Sequence, residues 1–211
     1  MHLSTIFLSL LGSLSLTSAH GIVQKPAVTR QPGSATAAAC GQALVTFYKQ
    51  DETSYPEAFL RSNARPAGYD AKKCNLWLCK GFQFGDNTAR VQSYKAGDVL
   101  DIEVFIRIPH KGYANVSVVD TTLNQVVGTP LIEWKDNYAA TNKPPTDQVK
   151  FGVKIPEGLE GRCATAGVCV IQWHWFGAGQ TYQSCIDFIV AAPAPAAEHG
   201  HSRRAIRGRR Y

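Results

Sequence analysis

Residues 98–108, DVLDIEVFIRI, alternate between apolar and polar side chains with a period of two. Successive side chains of a β-strand point to opposite faces, so this alternation predicts a strand with one buried face. The apolar side of the stretch carries Leu100, Ile102, Val104, Ile106 and Ile108. The opposite side carries Asp101, Glu103 and Arg107.

Four further segments have the composition of strands, and glycine or proline separates them, as at residues 128–130 (GTP). Short strands at such intervals, without a long amphipathic helix, predict an all-β fold. We expect an antiparallel immunoglobulin- or fibronectin-like β-sandwich with long loops, and short helical turns within residues 53–65 and 75–77. The four segments are residues 113–119 (YANVSVV), 148–155 (QVKFGVKI), 168–175 (VCVIQWHW) and 182–190 (YQSCIDFIV).

Residues 1–19 have the pattern of a secretory signal peptide. An apolar run from Leu3 to Leu16 precedes residues 17–19, TSA, which match a cleavage site. The run is too short to span a bilayer. A buried N-terminal helix is the alternative, but its apolar residues would surround the helix instead of forming one stripe. We therefore predict a secreted, extracellular protein whose mature chain begins at His20.

All six cysteines follow residue 19, and an even number in a secreted chain predicts disulfides. A zinc site is the rival interpretation, but the pairs do not repeat at zinc-finger spacing. By spacing, the predicted pairs are Cys74–Cys79, Cys163–Cys169 and Cys40–Cys185. The last pair closes a long loop and should contribute on the order of 4–5 kcal/mol to stability in the chain-entropy model.

The charge distribution separates one domain, residues 20–190, from a tail, residues 191–211, that we expect to be disordered. Within the tail, residues 198–211 hold five arginines against Glu198, so they carry +4 of the net +6 and leave +2 elsewhere. A basic tail on a nearly neutral body does not indicate a nucleic-acid-binding domain. We expect a monomer with neither a nucleic-acid nor a membrane partner.

A mature chain that begins at His20 would offer a metal both an α-amine and an imidazole. The amine has an ordinary pKa near 8, so its deprotonation at neutral pH costs little. His110 follows Pro109 at a strand end and could add a third nitrogen. Planar nitrogen ligation suits Cu(II), whereas zinc prefers a tetrahedral site. We therefore predict one copper ion per chain.

Four stretches carry a resemblance to a known family. The chain resembles the fungal lytic polysaccharide monooxygenases, and within them the cellulose-active auxiliary-activity family sixteen, over nearly all of residues 20–190. The stretches are residues 20–33 (HGIVQKPAVTRQPG), 74–87 (CNLWLCKGFQFGDN), 108–118 (IPHKGYANVSV) and 180–188 (QTYQSCIDF).

The resemblance implies a role for each site residue. His20 would supply its amine and ring, and His110 the third nitrogen, of a histidine brace around copper. Tyr182 would take the axial metal position as a catalytic residue, with an ordinary core tyrosine as the alternative. Gln180, on the same side of the strand, would hydrogen-bond the activated oxygen. His174 is either an oxygen-contacting catalytic donor or a surface or structural histidine.

The function implied is a copper-dependent monooxygenase that oxidatively cleaves glycosidic bonds of cellulose, by C1 oxidation. It would use O2 or H2O2 and an external electron donor, either a small reductant or a redox enzyme. The alternatives are a monooxygenase acting on chitin or hemicellulose, a non-catalytic histidine-brace copper-binding protein, and a carbohydrate-binding module. Hydrolysis is disfavoured, because Glu103, Asp120 and Asp187 form no recognisable acid–base pair and the chain has no Gly-x-Ser-x-Gly motif.

Binding to an insoluble polysaccharide needs exposed aromatic side chains near the metal. Tyr48, Tyr55, Tyr69 and Tyr113 lie in loop-like regions, although each could be half-buried. Tyr113, three residues after His110, is the predicted substrate-binding residue. Asn115 belongs to the chain's one glycosylation sequon, Asn-Val-Ser, and is the predicted glycosylation site.

Overall fold

The structure is a computed structural model that describes residues 20–62 and 68–191. The predicted signal peptide lies outside the described residues, and so does the predicted tail beyond residue 191. In the described ranges, no helix is long and apolar enough to cross a membrane.

Two β-sheets carry the fold. Every segment predicted as a strand contains one, while the strands that begin at His20, Gln92, Gln125 and Ile132 were not predicted. In chain order the strands are β1 His20–Lys25, β2 Gln92–Tyr94, β3 Val99–Ile108, β4 Gly112–Asp120, β5 Gln125–Val126, β6 Ile132–Tyr138, β7 Lys150–Lys154, β8 Cys169–Gly177 and β9 Gln180–Val190.

The smaller sheet has the strand order β1-β3-β7, and the larger sheet has the order β2-β9-β8-β4-β5 with β6 also paired to β4. All these pairs are antiparallel except β2 with β9, which run parallel. The architecture is an immunoglobulin-like β-sandwich, which confirms the predicted fold class.

The core lies between the inner faces of the two sheets. The predicted alternation of β3 is confirmed for Leu100, Ile102 and Val104, which are buried, whereas Ile106 and Ile108 are only partly covered. From the larger sheet, Trp173 and Trp175 of β8 face the same core and are almost fully buried. Burying side chains of this size is the largest favourable contribution to folding.

The segment between β1 and β2 is more helical than predicted. It contains α1 Ser34–Cys40, α2 Gln42–Gln50 and α3 Pro56–Ser62, and the short α4 Thr146–Val149 precedes β7. Helical turns were predicted within residues 53–65, which contain α3, and within residues 75–77, where a hydrogen-bonded turn from Asn75 to Leu78 precedes the first 3₁₀ turn. Single 3₁₀ turns follow at Cys79–Gly81, Phe84–Asp86 and Thr88–Arg90.

A distant carboxylate caps the start of α1. Asp86 accepts hydrogen bonds from the backbone N–H groups of Gly33, Ala35 and Thr36 at 2.7–2.9 Å. Burial alone would raise the pKa of Asp86, but the hydrogen bonds from Thr36, Ala35 and Gly33 lower it below its ordinary value. The helix therefore begins where a residue some 50 positions later supplies the cap, and no local sequence signal marks it.

Two of the three predicted disulfide pairs are wrong. The bridges are Cys40–Cys74, Cys79–Cys185 and Cys163–Cys169, so only the last prediction is confirmed. Cys74 packs with Cys40 in a small core beneath the helices, whereas Cys79 packs with Cys185 on the outer face of the larger sheet. The chain passes from the first of these clusters to the second between residues 74 and 79. Cys74 and Cys79 are therefore close in sequence but bonded to different partners.

Candidate metal centre

Strand pairing brings the two predicted histidine ligands to the same end of the sandwich. In the antiparallel pair β1–β3, His20 lies opposite Ile108, and His110 follows two residues later in the loop between β3 and β4. Gly112 lets this loop approach β8, because a Cβ at that position would lie 2.0 Å from the carbonyl oxygen of Phe176. The glycine of the His-x-Gly-Tyr sequence is thus required by close backbone contact.

The ring of His20 is held by a carboxylate. His20 is 8% exposed, and its Nε2 lies 3.0 Å from Oδ2 of Asp51, the residue that follows α2. Asp51 also receives two hydrogen bonds from Thr53 on Oδ1, from the backbone N–H at 3.1 Å and from the hydroxyl at 2.6 Å. Arg107 reaches Oδ2 at 3.3 Å.

This environment keeps Asp51 negatively charged. Burial alone would raise the pKa of the Asp51 carboxyl, but the hydrogen bond from Thr53 and the nearby His20 and Arg107 lower it below its ordinary value. An ionised carboxylate can only accept hydrogen bonds, so it faces a ring N–H of His20. Asp51 was not identified from the sequence, because nothing local to residue 51 indicates that it lies next to His20, at the start of β1.

Gln180 and Tyr182 lie on one side of β9, as predicted. A two-residue turn with positive φ at Ala178 and Gly179 connects β8 to β9. The Tyr182 hydroxyl donates a short hydrogen bond to Oε1 of Gln180. The Tyr182 ring is fully buried and stacks on Trp175, with ring centres 4.4 Å apart. Burial raises the pKa of Tyr182, so its hydroxyl stays protonated and neutral.

Tyr55 lies between His20 and Tyr182 and contacts both rings. Its ring centre lies 6.2 Å from that of His20 and 5.3 Å from that of Tyr182. The side chain of Arg61 donates to the Tyr55 hydroxyl at 2.6 Å. The sequence offers Tyr55 as a candidate substrate contact, but the residue is 1% exposed and instead forms a wall of the site.

Glu57, in the first turn of α3, fixes the start of β9. Its carboxylate accepts hydrogen bonds from the backbone N–H of Thr181 at 3.1 Å and from the Thr181 hydroxyl at 2.8 Å. Since Thr181 lies between Gln180 and Tyr182, this contact locks the backbone that presents both side chains.

His174 does not join Gln180 and Tyr182. Trp175 lies opposite Tyr182 in the β8–β9 pair and shares its face, so His174 projects from the other face of β8. There its ring stacks on Tyr113 at a centre distance of 5.8 Å. Burial lowers the pKa of His174, which favours the neutral ring. Of the two interpretations left open, this position favours the structural one.

The acidic residues considered for hydrolysis are engaged elsewhere. Asp187 forms a buried two-point ion pair with Arg30, with distances of 2.6 and 2.8 Å. Glu103 pairs with Lys25 on the outer side of the smaller sheet. Asp120 accepts hydrogen bonds from the turn that follows β4. The three carboxylates therefore make no acid–base pair.

The aromatic candidates for substrate contact divide by exposure. Tyr48 and Tyr55 are buried, and Tyr69 is half-buried. Tyr113 is 42% exposed and lies beside Phe176, which is 38% exposed, at a ring-centre distance of 5.8 Å. These two rings form an aromatic surface next to the loop that carries His110.

We also searched the described residues for other groups of side chains that could bind a metal ion. Within residues 20–62 and 68–191, no group of three or more His, Cys, Asp or Glu side chains is placed to hold a metal ion. All six cysteines are in disulfides, so thiolates are not available as zinc ligands. The imidazoles of His20 and His110 are the candidate metal donors.

Three of the solved structures that resemble the chain do so with low sequence identity and a low TM-score. A chitin-binding domain from Burkholderia pseudomallei is 14% identical, with a TM-score of 0.38, over 82% of this chain and 100% of that one. A cellulose-active lytic polysaccharide monooxygenase in complex with copper is 17% identical, with a TM-score of 0.36, over 81% and 98%. A lytic polysaccharide monooxygenase of family AA15 from Thermobia domestica, in the Cu(I) state, is 14% identical, with a TM-score of 0.31, over 65% and 95%.

TM-scores of this size assign no function. No curated protein matches the chain. A family model, in contrast, matches residues 20–188, which is most of the chain and includes His20, His110, Gln180 and Tyr182. Its description is lytic polysaccharide mono-oxygenase, cellulose-degrading. The chain therefore belongs to the lytic polysaccharide mono-oxygenase family.

Proposed function

We propose that the protein is a secreted, copper-dependent lytic polysaccharide monooxygenase that cleaves cellulose oxidatively at C1. Residues 1–19 would be removed as a signal peptide, and residues 20–190 would form the catalytic domain. The observation that carries the proposal is the pairing of His20 with Ile108, since it brings a potential N-terminal histidine next to the loop of His110. The finer assignment to auxiliary-activity family sixteen is part of the same proposal.

The residues at this end of the sandwich fit a copper ion. Two imidazoles and one α-amine make a set of three nitrogen donors, which suits Cu(II). The His20 ring is already ordered by Asp51, so little side-chain freedom remains to be lost when a metal binds. When bound, copper would supply the one-electron chemistry that activates O2 or H2O2 after reduction by an external donor.

Gln180 and Tyr182 would shape the space beside the metal. Because the amide oxygen of Gln180 accepts from Tyr182, the amide turns its NH2 group to the opposite side as a hydrogen-bond donor. The neutral phenol of Tyr182 would offer the metal a weak oxygen donor. Trp175, stacked beneath Tyr182 and fully buried, excludes water from that side.

Tyr113 and Phe176 would contact the polysaccharide. Two adjacent exposed rings offer apolar area that sugar rings can cover, and the flat faces of crystalline cellulose suit such a contact. His174, stacked under Tyr113, would support this surface instead of contacting oxygen. We expect the protein to act as a monomer.

The proposal is tested with mature protein produced by native cleavage, loaded with copper and incubated with cellulose and ascorbate. Oligosaccharides oxidised at C1 are the expected products. The matched control carries one additional residue before His20, so that the α-amine is no longer part of the histidine, and it should yield none.

Other results would redirect the proposal. Products from chitin or hemicellulose alone would reassign the substrate and keep the enzyme class. Tight copper binding without products on any polysaccharide would favour the non-catalytic copper-binding alternative, and a secreted chain beginning elsewhere than His20 would contradict both.

A further inference from the structure

We infer that Asp51 is a positioning residue that selects the metal-binding nitrogen of His20, an inference that rests on the proposed function. By accepting the Nε2–H, Asp51 holds the ring in one tautomer and one orientation. Nδ1 then carries the lone pair, on the side of the ring nearer the α-amine of the same residue. Nδ1 and the amine would form the chelating pair.

Both carboxylate oxygens of Asp51 already accept hydrogen bonds or ion-pair contacts from their surroundings. The two oxygens of Asp51 are reached by four donors, which come from His20, Arg107 and the backbone and hydroxyl of Thr53. The side chain of His20 is 10% exposed and that of Asp51 is 28% exposed. A carboxylate fixed on every side presents one oxygen to the ring in one direction, as a flexible surface carboxylate could not.

The loop that carries Asp51 is itself anchored to its surroundings. The Asp51 backbone N–H donates to the Phe47 carbonyl at the end of α2, and the Thr53 carbonyl accepts from the Gly21 N–H of β1 at 3.2 Å. The buried amine of Lys80 donates to the carbonyl of Glu52, between these two residues, at 2.6 Å. The loop is thus bonded at three consecutive residues.

Tautomer choice matters because an unconstrained neutral imidazole can carry its proton on either nitrogen. A metal needs the unprotonated nitrogen, so the hydrogen bond at one nitrogen decides which one binds. Nδ1 and the α-amine of one histidine can close a small chelate ring, whereas Nε2 points away from the amine. A carboxylate at Nε2 therefore favours the arrangement that a histidine brace requires.

The first test measures the His20 tautomer by ¹⁵N nuclear magnetic resonance of the ring, in copper-free mature protein at about pH 8, where an ordinary imidazole is neutral. The expected result is the Nε2–H tautomer. The Nδ1–H tautomer in the unmodified protein would overturn the inference, and this measurement needs no variant.

The second test compares Asp51→Asn with Glu52→Gln, which removes the same charge from the next residue along the chain. Cu(II) dissociation constants are measured by competition with a chelator, and melting temperatures confirm that each variant is folded. Asp51→Asn replaces the charged acceptor with a neutral amide, which accepts more weakly and no longer raises the basicity of the His20 ring. The change should weaken copper binding about 10- to 100-fold, as is typical when the hydrogen-bond partner of a metal ligand is altered. Glu52→Gln should bind like the unmodified protein.

The outcomes separate this inference from the proposed function. Unchanged copper affinity in folded Asp51→Asn would overturn the role of Asp51 and leave the monooxygenase proposal intact. Failure of the unmodified protein to bind copper would defeat the proposed function, while the tautomer measurement would still decide whether Asp51 orients His20.

Discussion

Replacing Lys80 with methionine tests how a buried amine contributes to stability. Lys80 is 2% exposed, and its amine lies 5.1 Å from the centre of the Tyr48 ring and donates to the Glu52 carbonyl. Burial lowers the pKa of Lys80 from 10.5 to about 7, against the opposing effect of Glu52 and Asp51. Methionine has a similar length and no charge.

The sign of the effect follows from proton binding. Between pH 7 and 10.5 the unfolded chain keeps its proton on Lys80 while the folded chain has released it. The unfolding free energy therefore rises with pH in this window, and the linkage relation yields a rise of about 2 kcal/mol from pH 7 to pH 9. Well below pH 7 both states bind the proton, so the contribution is constant there.

The assay is urea unfolding at several pH values from 7 to 9, followed by tryptophan fluorescence. Lys80→Met should abolish the rise, while Lys49→Met, which changes an exposed lysine at the end of α2, should retain it. A pH-independent unfolding free energy in the unmodified protein, or a rise that persists in Lys80→Met, would refute the argument.

Three further changes have expected outcomes. Replacing both Cys79 and Cys185 with alanine opens a closure of 106 residues, so the unfolding free energy should fall by about 5 kcal/mol in the chain-entropy model, and a loss below about 1 kcal/mol in urea unfolding would contradict it. Arg30→Met leaves the Asp187 carboxylate buried without its partner and should cost about 3–5 kcal/mol, most of which the double variant with Asp187→Leu should restore. Tyr113→Ala should weaken adsorption to cellulose in depletion isotherms and leave the Cu(II) dissociation constant unchanged, whereas equal adsorption would remove Tyr113 from the substrate surface.

The strands of the core could be predicted because their signal is local. The alternation in β3 and the aromatic pattern of β8 are contained in about ten residues each, and both identify the buried face. The side chains of Gln180 and Tyr182 could be placed together for the same reason, since residues two apart on a strand share a face.

The features missed by the sequence analysis depend on contacts between distant segments. The start of α1 is set by Asp86, and the partner of Cys79 lies 106 residues away. Asp51 and Tyr55 reach the candidate metal centre only because the helical segment folds back against His20, at the start of β1. No periodicity within their own neighbourhoods could indicate these positions.

The side of β4 that carries Tyr113 also carries Asn115, two residues further along the strand. An N-linked oligosaccharide at Asn115 would lie next to the exposed ring and compete with a polysaccharide surface for the same space. Enzyme made in a host that does not glycosylate would then adsorb differently from enzyme made in a host that does, although the two preparations would share one copper site.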